Sequence, residues 1–538
     1  MTGRPDVTVV IAVYNTMPYL TECLDSLVAQ SIGLDRLQIV AVDDGSTDGG
    51  GAELDRYARA HPRTFTVIHQ PNSGGPAAPS NRGLASADGR YVYFMGSDDR
   101  LGPEALARLV ACADEHGSDI VVGRMTGAGG RYVHQALFTE NARDVGLNDS
   151  ALPFTLSNAK LFRRELVDRH GLSFPEDMPV GSDQPFTIEA CVRARRISVL
   201  ADYTYYYAVK RRDAGNITYR AGHLARLRCT ARIMRHAAGL IPPGPERDSL
   251  LHRHFTWELA KLLQADFAAL DGPDRADVCA GIAELADAYL TEAVSARLPA
   301  RRRAALALAR CGAVGGLLAL IEDEERHGPV FELAGDRAFL RRPGFRDPAL
   351  GLPDREYELL GESVLPALAA GTELLAADWE QHGDDLALTI AVRVPLTGDT
   401  SSAVVRLTPG PLPEEPGRIL PPGSGPPPAA GAFVRTERDG GTVVRAVIPV
   451  EARTADLAVC LQVRIAGRLH EIPVRARGAP MPLARRWRMT DPYRAAVRIG
   501  AGDRPVLRTA PLCPPYEPRL SRVRRELAAL LPHRARRT

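Results

Sequence analysis

Four groups of charged residues in this chain stand where chemistry is commonly done. Asp43-Asp44 closes the apolar run Leu37–Val42, and Asp98-Asp99 follows Tyr91-Val92-Tyr93-Phe94-Met95 after Gly96 and Ser97. Carboxylates at the carboxyl end of a strand sit where an open α/β sheet binds its ligands. The oxygens of Asp98 and Asp99 suit Mg²⁺ or Mn²⁺, and such a cation suits a diphosphate. Further on, Asp183 opens the run Asp183-Gln184-Pro185-Phe186-Thr187, and Lys210-Arg211-Arg212 forms a basic triplet before Gly215-Asn216-Ile217-Thr218. A member of that triplet could fold over a diphosphate; a solvated basic turn accounts for it equally well. An isolated Asp-Asp is more often an acidic turn, and an Asp near a helix start is usually a cap.

The elements around these residues alternate. Val7–Val13 reads as a buried strand ending in Tyr14-Asn15, and Leu20, Cys23, Leu24 and Leu27 recur at helical spacing behind it. Leu37–Val42 is a second strand, a helix runs through Leu54 and Tyr57, and Phe65–His69 is a third strand. Asn72-Ser73-Gly74-Gly75 is loop chemistry, a helix begins near Pro79, and Tyr91–Met95 leads to Asp98-Asp99 and a helix carrying Leu106, Leu109 and Val110. Such alternation predicts parallel strands joined by right-handed crossovers. A dinucleotide-binding domain would carry Gly-x-Gly-x-x-Gly after the first strand, where this chain has Tyr14-Asn15-Thr16-Met17. Gly49-Gly50-Gly51 has the wrong spacing, and no Walker A motif occurs. Phosphates would therefore be held by a cation and basic side chains.

Val9–Asn15, Val42–Asp48, Asn72–Gly83 and Tyr91–Asp99 together resemble glycosyltransferase family 2, in family order and spacing across about the first hundred residues. The resemblance implies an α/β GT-A domain, a nucleotide-sugar donor, usually UDP-linked, and inversion at the anomeric carbon. It implies that Ala12 and Tyr14 flank the uracil, that Asp44 contacts the base, that Asn72 lines the uridine pocket and that Asp98 reaches the metal. Asp183 becomes the general-base candidate, because Gly181–Thr187 resembles the Glu-Asp-Gln segment of the family with Ser182 in place of Glu. Each has a plainer alternative: Asp43 and Asp48 would also serve simply to organise their turn. Two departures stand out. Gly96 occupies the first position of the Asp-x-Asp-Asp pattern, and the usual Arg-Asn pair corresponds to Ser80-Asn81, with Arg82 one residue late.

The chain is 538 residues long, too long for one core, with 45% hydrophobic and 25% charged residues and a net charge of +2. That balance argues against bulk nucleic-acid binding. The basic residues are almost all Arg, the lysines being Lys160, Lys210 and Lys261. Eight scattered cysteines without Cys-x-x-Cys suggest neither a zinc site nor a disulfide framework. No stretch of roughly 18 or more apolar residues appears, and the N-terminus lacks a signal-peptide pattern, so a cytoplasmic location is expected. After a first domain over 1–222, long Ala-, Leu- and Arg-rich helices are expected at Leu224–Ile241, Leu250–Leu270, Val278–Leu298 and Arg303–Ile321, a connector over 223–328 with no recognisable chemistry. Short strands from Val330 onward, clearest at Leu386–Val394, predict a β-sandwich region over 329–512. Pro409–Pro428 reads as a long loop, and 513–538 as a basic amphipathic tail that would rest on an anionic membrane surface or on the protein itself.

This order of parts is similar to that of the poly(ribitol phosphate) N-acetylglucosaminyltransferases of wall teichoic acid. The resemblance implies transfer of N-acetylglucosamine from UDP to a hydroxyl of a cell-envelope polymer such as a polyol-phosphate chain, with Mn²⁺ or Mg²⁺ as cofactor. It also implies a homo-oligomer, a trimer in that group, held by the C-terminal β region. Two other readings stay open: transfer to a small molecule or lipid carrier, and a catalytically dead glycan-binding scaffold, motivated by Gly96, Ser80 and Ser182.

Overall fold

A computed structural model describes residues 4–211, 221–326, 328–335, 337–360, 364–382, 385–409, 418–419, 434–438, 440–450, 454–465, 468–487 and 492–512. Arg212, most of the 409–428 loop and the 513–538 tail lie outside these residues. The chain divides into two units, Met1–Leu298 with Arg302–Ile321, and Pro299–Arg301 with Glu322–Thr538.

In the first unit the β-branched run of β1 (Val7–Val13) is buried at nearly every position, as a strand covered on both faces must be. Helix α1 (Tyr19–Val28), β2 (Leu37–Asp43), α2 (Gly50–Ala60), β3 (Phe65–His69), α3 (Ala77–Ala85) and β4 (Tyr91–Gly96) follow in the expected alternation. Next come β5 (Arg100–Leu101), α4 (Ala105–His116), β6 (Ile120–Gly123), β7 (Met125–Ala128), β8 (Leu161–Arg163), α5 (Arg164–His170), α6 (Asp183–Arg193), β9 (Ile197–Leu200) and β10 (Tyr206–Val209). The main sheet has the order β3-β2-β1-β4-β8-β6-β9. It is parallel through β3-β2-β1-β4, but β8 runs antiparallel to both β4 and β6, which corrects the all-parallel expectation. The stretch between β7 and β8 contains a single 3₁₀ turn, Leu152–Phe154, and no crossover helix to return the chain in the parallel sense. Strands β5, β10 and β7 form a small second sheet.

The two faces of the main sheet feed two cores. Val9 and Ile11 pack with Leu20, Leu24, Leu54 and Leu109 on one side. Val10, Val92 and Phe94 pack on the other, where Phe94, Phe162, Phe174 and Phe186 form an aromatic cluster. Phe174 and Phe186 stack at 4.4 Å, which fixes α6 against the sheet. Ile233 and Ala237 from α7 (His223–Leu240) and Leu250 from α8 (Pro245–Arg253) complete this core.

Of the long helices expected for the connector, the first forms nearly as expected, as α7, and the other three are broken. The second is α8, a π-helical segment His254–Glu258, the single turn α9 (Leu259–Lys261) and a 3₁₀ turn Ala265–Ala269. The third becomes α10 (Gly272–Tyr289) and α11 (Glu292–Arg297), parted where Thr291 caps the second piece through Val294 N. The fourth becomes α12 (Ala300–Arg310) and α13 (Val314–Arg326), with Gly312 at positive φ between them.

The second unit is sheet-rich. It contains β11 (Phe331–Ala334), β12 (Arg337–Leu340), α14 (Leu365–Gly371), β13 (Glu373–His382), β14 (Asp385–Val394), β15 (Leu396–Gly398), β16 (Val404–Pro409) and β17 (Arg418–Ile419). The rest is β18 (Val434–Arg438), β19 (Gly441–Pro449), β20 (Ala455–Ile465), β21 (Arg468–Pro473), β22 (Arg485–Trp487), β23 (Tyr493–Gly500) and β24 (Arg504–Pro511). An antiparallel sheet of order β13-β14-β19-β18 and a second built on β21-β20-β24-β23 turn their apolar faces to one core. Leu388, Ile390 and Val444 from the first sheet and Leu461, Ile472 and Leu507 from the second are all buried there, which is a sandwich.

Candidate active site

The parallel strands β1, β2 and β4 end side by side, so their terminal turns are neighbours. At the end of β2, Asp44 is only 2% exposed. Its carboxylate accepts from Gln70 Nε2 at 2.6 Å, from Ser73 Oγ at 2.9 Å and from Ser73 N at 3.1 Å, while Asn72 Nδ2 donates to its carbonyl at 3.0 Å. Asp44 thus fastens the loop after β3 to the β2 turn. Gly45 (φ +76°) permits this contact, since a Cβ there would stand 2.8 Å from Asn72 N. Asp43 accepts Ser46 N at 3.0 Å, and Asp48 accepts Met17 N at 2.7 Å and Gly50 N at 3.0 Å. These carboxylates organise the turn that carries Asn15, whose Oδ1 accepts Thr47 N at 2.8 Å. Tyr14 beside it is 42% exposed, and Ala12 lies at the cavity described below.

At the end of β4 the two carboxylates differ. Asp99 is buried and takes the Tyr206 hydroxyl at 2.5 Å on Oδ2 and Val209 N at 2.7 Å on Oδ1. Burial, and then the charge of Asp98, push its carboxyl up to about 6. Asp99 therefore ties β4 to β10, and Asp98 is half-buried at the same turn. Gly96 is shaped by this arrangement: a Cβ there would lie 2.7 Å from Asp99 Oδ2. Among the described residues no group of three His, Cys, Asp or Glu side chains could cage a metal. A single strand-end carboxylate does fit a Mg²⁺ or Mn²⁺ that takes its remaining ligands from a diphosphate and water.

The other sequence-singled residues are distributed around these turns. Asn81 clamps the segment before α6: its Nδ2 donates to Phe174 O at 2.8 Å and Glu176 Oε1 at 2.9 Å, and its Oδ1 accepts Phe174 N at 2.8 Å. Arg82, on α3, is exposed. Lys210 is exposed at the end of β10, whereas Arg211 is buried, donates to Asn15 O at 2.9 Å and covers the Tyr19 ring at 5.9 Å. The basic triplet so reaches the Tyr14-Asn15 turn through its middle member.

Asp183 stands at the first residue of α6, on the wall of a cavity of about 700 Å³ that is also lined by Ala12 and Gly96. The N-cap residue is Ser182, and it makes no side-chain capping bond. Burial pushes the Asp183 carboxyl up, and the positive charges of Arg253 and Lys160 oppose that shift. Lys160, 1% exposed, donates to Thr155 O and, at 2.5 Å, to Ser157 O, carbonyls of a segment that also lines the cavity. Burial pushes its amine down to about 8.

Another part of the wall comes from the connector, in which the sequence alone gave no sign of chemistry. Arg253 Nη1 donates to Gln184 Oε1 at 3.0 Å and pairs with Glu258 Oε1 at 3.0 Å, and Gln184 Nε2 donates to Glu258 at 3.2 Å. The guanidinium lies 5.5 Å from the Trp257 ring centre. Burial would raise the Glu258 carboxyl, but Arg253 beside it prevails and holds it below the usual range. His254, fully buried, is pushed down to about 4 by burial and by Arg253. Trp257 packs edge-on to Phe154 at 5.0 Å and His134 at 5.4 Å, giving the cavity an aromatic side. The π-helical turn His254–Glu258 sets these directions, because its extra residue rotates Trp257 and Glu258 relative to Arg253. The only sequence cue was the Arg253-His254-Phe255-Thr256-Trp257-Glu258 run itself, polar and aromatic inside an Ala/Leu-rich helix.

Residues 8–171 match glycosyl transferase family 2, and residues 222–321 match the glycosyl transferase TarS linker domain. Over 205 residues the chain is 42% identical to a poly(ribitol-phosphate) beta-glucosyltransferase of Bacillus spizizenii, covering 38% of this chain and 32% of that protein. Over 204 residues it is 39% identical to the poly(ribitol-phosphate) beta-N-acetylglucosaminyltransferase TarS of Staphylococcus aureus, covering 38% of this chain and 35% of that protein. The match thus spans about a third of each relative's length. The crystal structure of S. aureus TarS 1–349 in complex with UDP-GlcNAc aligns with a TM-score of 0.56 and 27% identity, over 66% of this chain and 99% of that one. The full TarS structure aligns with a TM-score of 0.58 over 95% of this chain and 86% of that one, at 22% identity, a likeness of fold alone. Residues 8–171 thus form a domain matching glycosyl transferase family 2, joined to helices over 222–321 that match the TarS linker domain.

Proposed function

We propose that this protein is an inverting glycosyltransferase that moves a sugar from a UDP-sugar to a hydroxyl of a poly(ribitol-phosphate)-like polymer. One observation carries the reading: Asp183, at the first residue of α6, shares a cavity with Ala12 and Gly96 from the nucleotide-side strand ends and with Arg253 and Trp257 from the connector. In this reading Asp183 Oδ accepts the proton of the acceptor hydroxyl as it attacks the anomeric carbon from the face opposite the leaving diphosphate. The positive charges of Arg253 and Lys160 favour the ionised form of Asp183 against its burial. Asp98 would hold a Mn²⁺ or Mg²⁺ that offsets charge on the diphosphate. The Trp257 ring offers an apolar face to a sugar or polyol, and much of the acceleration comes from fixing the two substrates in line.

The sugar is N-acetylglucosamine or glucose, the two named for the relatives. UDP release from UDP-GlcNAc and from UDP-glucose, with and without poly(ribitol phosphate) and with and without Mn²⁺, tests the reading. Acceptor-dependent release from one donor is expected. Release from neither, by a folded protein, would leave the glycan-binding scaffold; release that a small alcohol or lipid-linked acceptor supports better would favour the small-acceptor reading. The proposal carries with it a cytoplasmic site of action at the inner face of the membrane, which cell fractionation would check, and a homo-oligomer built by the C-terminal sandwich.

A further inference from the structure

His69, the last residue of β3, lies between two carboxylates. Its Nδ1 is 2.9 Å from Asp43 Oδ2 at the end of β2, and its Nε2 is 3.1 Å from Asp55 Oδ1 on α2. A neutral imidazole has one N–H and one bare lone pair, so it can satisfy one of these acceptors and must turn its lone pair on the other. Only the imidazolium donates to both. The bond to Asp43 leads directly to the turn described above. The other oxygen of Asp43 accepts Ser46 N at 3.0 Å, Ser46 Oγ accepts Asn15 N at 3.2 Å, and Asn15 O accepts Arg211 Nη2 at 2.9 Å. The neighbour of His69, Gln70, binds Asp44. Asn15 holds positive φ (50°), a conformation that such a bonding frame must maintain.

We infer that His69 is a positioning residue for the nucleotide-sugar donor: as an imidazolium it braces the β2 turn that carries Asp44 and holds Asn15 at the end of β1. This rests on the UDP-sugar reading given above. The charges facing the ring are Asp43 from β2 and Asp55 from α2. Its bonds to them, the bond to Asp43 first, raise the His69 imidazole above its ordinary range, while its partial burial opposes them. The sign follows. A group whose folded pKa is raised contributes its bracing below that value and loses it as the pH climbs through it. Donor binding should therefore be tighter at mildly acidic and neutral pH and weaken on the alkaline side. His69 is about half exposed, so the effect is that of a solvent-screened ion pair.

The test is calorimetric titration of the full chain with UDP-glucose and UDP-GlcNAc, whose diphosphate diesters do not titrate near neutrality, from pH 6 to pH 9. Wild-type affinity should fall roughly twofold to fivefold across the range. In His69→Gln the affinity should sit near the alkaline wild-type level at every pH. In Asp55→Asn, which keeps the histidine but removes one carboxylate, the inflection should move to lower pH, a displacement that loss of packing would not produce. Equal pH profiles in wild type and both variants would overturn the inference while leaving the donor reading intact. No binding of either UDP-sugar at any pH would overturn the donor reading, and this inference with it.

Discussion

At the scale of single residues, the site assigns different work to carboxylates that look alike in sequence. Asp183→Asn keeps the shape and hydrogen-bonding capacity of the side chain but removes its basicity, so it should keep UDP-sugar binding and lower transfer by about 10²-fold or more, the usual scale for a lost general base. Transfer at near wild-type rate would remove Asp183 from the mechanism. Because burial raises its carboxyl, the ionised base is depleted as pH falls from a point above the ordinary carboxylate range. The acid limb of the rate profile should lie correspondingly high, and Arg253→Met should move it higher still, measured as kcat against pH. Asp98 and Asp99 part ways as well. Asp98→Ala should abolish the response of UDP binding to Mn²⁺. Asp99→Asn, isosteric, keeps an oxygen to accept Val209 N and an amide that donates to a reoriented Tyr206 hydroxyl, and should leave that response in place. Asp99→Ala strands both buried donors and should cost about 1–3 kcal/mol of stability, read from denaturant unfolding. If Asp99→Asn and Asp98→Ala silence the Mn²⁺ response equally, the division between the two carboxylates is wrong.

At the scale of elements, α6 and the connector share an apolar core through Phe186, Ile233 and Ala237, and one polar side chain links them beside the cavity. Gln184, next to Asp183, accepts from Arg253 and donates to Glu258 across the α6–π-helix contact. Gln184→Leu fills similar space but leaves both partners short of a bond. It should lower stability by about 1–3 kcal/mol. It should also raise KM for the polymer more than KM for the UDP-sugar, because the residues it releases line the cavity from the connector and not from the strand ends that the proposed donor would occupy. Steady-state kinetics with each substrate varied in turn would check this; equal changes in both KM values would count against a specific link. The aromatic stack of Phe174 on Phe186 explains why α6 can carry this load: the helix start is pinned from below by a core that the sheet itself completes.

At the scale of the whole molecule, the first unit carries its own cores on both faces of its sheet, and the sandwich carries another. A fragment of residues 1–321 should therefore fold, bind UDP-sugar and be monomeric, while the full chain is an oligomer. Light scattering on both, with calorimetry on the fragment, would decide it. A monomeric full-length chain, or a fragment that remains oligomeric, would take the assembly role away from the sandwich.

Much of the first unit was legible in the sequence because its strands are written as near-continuous apolar runs, each stopped by a polar turn, and local pattern suffices for such elements. Val7–Val13, Leu37–Asp43 and Tyr91–Gly96 form strands where the runs predict them, and the acidic turns fall at their ends. The alternation of Leu386–Val394 likewise announced its sandwich strand, since a half-buried strand has period two. Other features depend on partners far away in the chain, and no local pattern records them. The antiparallel entry of β8 follows from a long excursion without a crossover helix. The commitment of Asp99 to Tyr206 joins residues more than a hundred positions apart, and so distinguishes it from Asp98 only in the folded chain. The π-helical turn is a matter of backbone register, set by what Arg253, Trp257 and Glu258 meet on α6 and on the segment around Phe154. His69 was one residue of an ordinary strand end until β2 and α2 brought a carboxylate to each of its nitrogens. Sequence by itself determined which segments form the sheet and where its carboxylates stand. Tertiary structure alone decided which of them are spent on holding the fold and which face the cavity, because burial and hydrogen-bond partnership are properties of contacts between distant segments.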